Sequence, residues 1–163
     1  MVISIIVSVA VGIVVGIVLA RITNDYDVML DKTISDKLSE LPSIYAGAHK
    51  SIKIATDFDA RFFDDQRVKG AIENAIKNGA KVMFLSEKEP LEWYKNKSGV
   101  DIKRVESLVR HTMIIDDHHV RLERSHEPLT FGDEKDHIAL IFKGFPQLGE
   151  QLNSEFDNLW ASV

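Results

Sequence analysis

Residues able to do chemistry concentrate in one stretch, VRHTMIIDDHHVRLE, from Val109 to Glu123. His111 can act as base, nucleophile or ligand. Asp116 can supply a carboxylate and Arg110 an anion clamp. Asp116-Asp117-His118-His119 has the composition of a metal site, but its spacing argues against one. The adjacent histidines point apart at a turn, and a site needs three or four convergent ligands. These residues read as solvated turn positions, and no metal or other cofactor is implied. On a strand, Val109, His111, Met113 and Ile115 share one face, so His111 is its lone polar group. Two readings stay open for it: a buried, satisfied histidine, or a ligand-facing group in a cleft. Asp57 and Asp59 follow an earlier strand, at the end where open α/β sheets place ligands. Capping the next helix accounts for an aspartate there equally well. Arg110, Arg121 and Arg124 have the charge for a local basic patch, although solvated strand faces explain them better.

The elements that would position these residues follow from periodicity. SIKIAT (51–56) alternates as a strand, and KVMFLS (81–86) is a near-continuous apolar one. Between them, 62–78 carries Phe63, Val68, Ala71, Ile72, Ala75 and Ile76 on one helical face, with Gly79 as its stop. This is a βαβ unit, which implies a parallel pair with a right-handed crossover. A short helix is expected around 90–95 and a strand over 100–105. Two more strands, 108–116 and 119–124, flank Asp117-His118 as a hairpin. Residues 127–136 form a polar loop, 137–142 the last strand and 145–160 a closing amphipathic helix. Residues 21–40 read as a juxtamembrane helical connector, with Pro42 marking a break and 43–50 a short helix.

The N-terminal run of 1–20, MVISIIVSVAVGIVVGIVLA, has no charged residue. Twenty helical residues span roughly 30 Å, a bilayer's hydrocarbon thickness, so a single-pass transmembrane helix is expected. Nothing basic precedes it, and Val18-Leu19-Ala20-Arg21 is a poor cleavage site, so the run reads as a retained anchor. Ser4, Ser8, Gly12, Gly16 and Ala20 form a small-residue stripe suited to helix pairing, tightest from Gly12 to Gly16. Arg21 directly after the run leans towards a cytoplasmic C-terminal domain. The chain of 163 residues has no cysteine, which excludes disulfides and thiolate metal sites. With 20 Lys+Arg against 25 Asp+Glu, the net charge is −5, which disfavours non-specific nucleic-acid binding.

The element order, with the segments AHKSIKIATDFD, AIENAIKNGAKVMFLSE, VRHTMIIDDHHVRLE and FDNLW, resembles one half of the phospholipase D superfamily from Leu41 to Trp160. Active members carry His-x-Lys-x-x-x-x-Asp. The histidine attacks phosphorus, the lysine holds a non-bridging oxygen, and two halves meet about a two-fold axis. Aligned on Asp116, the chain has Val109 at the histidine and His111 at the lysine. Valine is no nucleophile. Starting instead at His111 puts Met113 at the lysine and His118 at the aspartate. The Gly-Ser and Asn positions that usually follow are also missing, since the chain reads Val120-Arg121-Leu122-Glu123. The first register keeps the apolar strand and the aspartate at its turn, and is preferred.

The resemblance implies an α/β domain over 41–163, a mixed sheet flanked by helices. It also implies a homodimer and a remnant cleft for an anionic small molecule, with His111, Arg110, Asp116 and Asp57 as candidate ligand groups. The expected role is binding, sensing or scaffolding without turnover. Two alternatives stand beside it: a divergent phosphodiesterase acting on lipid or nucleic acid through His111, and a membrane-tethered assembly module with an empty cleft.

Overall fold

The computed structural model describes residues 27–31, 34–124 and 139–163. The run of 1–20, with Ser8, Gly12 and Gly16, lies outside them. No described helix is long and apolar enough to cross a membrane.

In chain order the elements are β1 (Asp27–Asp31), α1 (Ile34–Ala46), β2 (Ser51–Thr56), α2 (Ala60–Phe63), α3 (Gln66–Lys77) and β3 (Lys81–Ser86). Then come α4 (Glu92–Lys95), β4 (Val100–Arg104), β5 (Arg110–Ile115), β6 (His119–Arg124), β7 (Ala139–Lys143) and α5 (Pro146–Ser162). All seven strands join one sheet in the order β1-β7-β6-β5-β2-β3-β4. The pairs β2–β3 and β3–β4 are parallel, as the βαβ pattern requires. The other four pairs are antiparallel, so the sheet is mixed.

Both faces of the sheet are covered. On one, Ile52, Ile54, Val82, Phe84 and Met113 pack against Leu41 and Tyr45 of α1 and Val68 and Ile72 of α3. On the other, Ala55, Leu85, Ile114 and Val120 pack against Leu152 and Phe156 of α5. A central strand buried on both sides has no solvated face, and its polar positions are buried with the rest.

Three expectations need correction. Residues 21–40 are not a helical connector throughout: β1 pairs with β7 from Asp27↔Lys143 to Asp31↔Ala139, and α1 starts at Ile34. Val28 and Leu30 fit a period of two as well as a helical one, and the open edge of β7 supplies a ladder. Pro42 lies inside α1 rather than ending it. Proline costs a helix one backbone hydrogen bond, and burial of Leu41 and Tyr45 on either side holds the turn together. The helix expected over 62–78 is two. Asp65 accepts from the Arg67 amide at 2.8 Å and caps a fresh start, so α2 and α3 are separate helices where the periodicity shows one.

Candidate functional site

The C-terminal ends of β2, β3 and β6 and the N-terminal end of β5 share one edge of the sheet. His111 lies there, second residue of β5, directly opposite Glu123 on β6. Two residues along β6 from Glu123, and so on the same face, is Arg121, and α1 brings Lys37 over both. These four polar side chains are each 5% exposed or less. The Arg121 guanidinium donates to Glu123 Oε2, and Lys37 Nζ approaches the same oxygen at 3.5 Å. Lys37 also stands 4.4 Å from the centre of the Phe62 ring, a cation–π contact.

A carboxylate shared by two cations is the arrangement that lets charge survive away from water. Burial and the positive charge of Arg121 push the pKa of Lys37 down to about 8, against the pull of Glu123.

The edge is shaped by a strained residue. Phe58, two residues past β2, has φ of 56° although it is bulky and buried. Its ring is held against Phe84 at 4.8 Å and Phe63 at 5.1 Å between centres. That packing turns the chain so that Asp59 caps α2, its Oδ1 accepting from the Arg61 amide at 2.9 Å.

The residues singled out by the sequence do not converge. His111 is in the ion cluster. Arg110 points to the opposite face and donates to Glu155 of α5. Asp57 is at the same edge but is paired with Lys88, Oδ2 to Nζ 2.9 Å. Asp116 is at the far end of β5, roughly 17 Å from His111 at about 3.4 Å per residue. Its carboxylate accepts from the backbone amides of His49 at 2.9 Å, Lys50 at 2.8 Å and Ser51 at 3.0 Å. Partial burial raises the pKa of this carboxyl, but the three amides outweigh it, and the net shift is downward. Among the described residues, no group of three or more His, Cys, Asp or Glu could hold a metal.

Val109, at the position aligned with the nucleophile, is 92% exposed. Arg121 corrects the expectation of a solvated strand face: it is 2% exposed. Lys37 and Glu123 were not anticipated at all. Their signals were present. Lys37, Leu41 and Tyr45 recur every fourth residue, so they share one stripe of α1. Arg121 and Glu123 alternate with Val120 and Leu122 on a strand covered on both faces.

No family model matches the chain, and no curated protein matches it in sequence. Solved structures do match in fold. NucT from Helicobacter pylori aligns with a TM-score of 0.63 at 15% identity, covering 84% of this chain and 97% of its own. Nuc from Salmonella typhimurium, a phospholipase D family member, aligns at 0.55 and 15% identity, covering 83% and 95%. The archaeal chromatin protein TrmBL2 aligns at 0.59 and 13% identity, and the aligned region is 83% of this chain but only 52% of TrmBL2. Over most of its length, then, the chain shares the fold of NucT and of Nuc, the latter a phospholipase D family member.

Proposed function

We propose that this is a membrane-anchored, non-catalytic phospholipase D-like protein. It binds an anionic or phosphorylated ligand and works as a homodimeric sensor or scaffold. One observation carries the reading. In the register aligned on Asp116, Val109, which has no lone pair to offer, falls where the family has its attacking histidine, and His111 is buried opposite Glu123 beside an ion cluster. A nucleophile must present its nitrogen to the phosphorus, and a group packed into a salt-bridged core does not. The run of 1–20 would hold both copies in one bilayer, and tethering raises the effective concentration for a contact between them.

The test uses the full chain in phosphatidylcholine nanodiscs. No hydrolysis of bis(p-nitrophenyl) phosphate or of phospholipid is expected. Turnover that disappears in His111→Ala would establish the competing reading, a phosphodiesterase acting through His111. Phosphorylated metabolites should raise the melting temperature, since only a ligand of the folded state does so. No shift across such a panel would leave the assembly module with an empty cleft. Gly12→Leu with Gly16→Leu should weaken full-length crosslinking, and unchanged crosslinking would reduce the run of 1–20 to an anchor.

A further inference from the structure

The face of the sheet opposite the ion cluster carries a cavity. It lies between the start of β5, the ends of β2 and β3, and α5, and has a volume of about 340 Å³. Ala55 and Leu85 form its floor, Leu108 and Val109 one side, and Leu152 and Phe156 the other. Ligand pockets are mostly apolar with a few polar groups that fix orientation, in volumes from roughly 300 Å³ upwards. Here those groups are Ser107, Arg110, Thr112 and Glu155. A guanidinium has five N–H donors. Among the described residues, Arg110 donates only to Glu155, and its side chain is 42% exposed. Glu155 accepts from Gln151 as well, at 3.3 Å. The guanidinium thus keeps donors for a second carboxylate without releasing the first. At about 30 Å³ for each water-sized group, the cavity takes a chain of roughly ten heavy atoms.

We propose that this groove binds a medium-chain free fatty acid, its alkyl chain between β5 and α5 and its carboxylate on Arg110. A linear chain suits a trough walled by aliphatic side chains and one phenyl ring. A monoanion suits a single cation at the mouth, beside a carboxylate that would repel the double charge of a phosphate. The site is on the other side of the sheet from His111, so its occupation neither needs nor excludes the reading above.

The test is binding of [1-13C]-labelled hexanoate, octanoate, decanoate and dodecanoate to the full chain in phosphatidylcholine nanodiscs, with empty discs as blank. Affinity above the blank should rise about fourfold per methylene, the transfer free energy of one CH2, and level off near ten carbons. Decanol should bind at least tenfold more weakly than decanoate, and Arg110→Gln should erase that difference along with the carboxyl shift. Ala55→Met fills the floor and should weaken every acid at least tenfold while the melting temperature holds. Leu159→Trp, narrowing the same groove from α5, serves if Ala55→Met does not fold. Saturable binding absent above the blank overturns the proposal. So does affinity unchanged by both filling variants, or a filling variant that alters crosslinking between copies while leaving fatty-acid binding intact, which would mean that a second copy covers the groove. Loss of phosphorylated-metabolite binding with fatty-acid binding intact would count against the earlier reading alone.

Discussion

The two ends of the β5–β6 hairpin are both rich in charge, yet they use it in opposite ways. At the turn, Asp116 and Asp117 take φ of 51° and 65°, a left-handed conformation that aspartate tolerates better than most residues. Asp116 spends its carboxylate on three amides at the start of β2. The turn also seats α5: Asn153 donates to Asp117, and the Phe145 amide donates to His118 O at 3.0 Å. This end is charge committed to backbone. At the other end, Lys37 and Arg121 share the Glu123 carboxylate beneath α1, with His111 beside them. That end is charge committed to charge. The aspartate's role here is to tie β5 to β2, which needs no phosphate. The histidine's surroundings are a buried salt bridge, where charge meets charge instead of backbone amides.

The largest test of this contrast is Glu123→Gln. It leaves Arg121 and Lys37 buried without their carboxylate, and should cost about 3–5 kcal/mol in chemical denaturation. A loss under 1 kcal/mol would mean that water reaches the cluster and the two ends are alike. In a double-mutant cycle, Lys37→Met with Glu123→Gln should recover part of the loss, because the pair is in contact.

Next comes Gly149→Ala. A Cβ there would be 1.8 Å from the Asp117 carbonyl oxygen, a backbone atom that cannot swing away. Overpacking of this kind costs about 3 kcal/mol. A tolerated alanine would show that α5 does not press on the turn.

Asp116→Ala should cost less, about 2 kcal/mol, because solvent can replace part of what the amides lose. Asp116→Asn should recover some of it, and it also tests the acid limb. The folded pKa of Asp116 is below the ordinary value of about 3.9, so its stabilisation is present above that pH and fades as the pH falls through the folded value. The asparagine variant should show a flatter acid limb than the parent.

Smallest is the alkaline limb. Lys37 titrates at about 8 in the folded chain, against 10.5 ordinarily. Between those values the unfolded chain holds a proton that the folded one has released, so Lys37 makes stability rise with pH. Lys37→Met should remove that rise, and an unchanged slope would place the Lys37 amine in water.

Much of this was readable before folding. The strand over 51–56, the strand over 81–86, the hairpin and the closing helix followed from periods of two and 3.6, which are set by backbone geometry alone. The valine at 109 and the capping role of an aspartate after β2, filled by Asp59, were also visible as residue types in place. Two things were not. Whether Val28 and Leu30 belong to a helix or a strand depends on β7, more than a hundred residues away. Whether Arg121 is solvated depends on what covers β6.

The sequence by itself determined the strands over 51–56 and 81–86, the hairpin, the closing helix, the βαβ order and the valine at 109, because local geometry and residue chemistry are properties of the chain. Only the tertiary structure decided that Lys37, Arg121 and Glu123 meet, that Asp116 ties two strands together, and that Arg110 and His111 face opposite sides. Those facts rest on strand register and on the layers packed over each face, which arise from contacts between segments far apart in the chain.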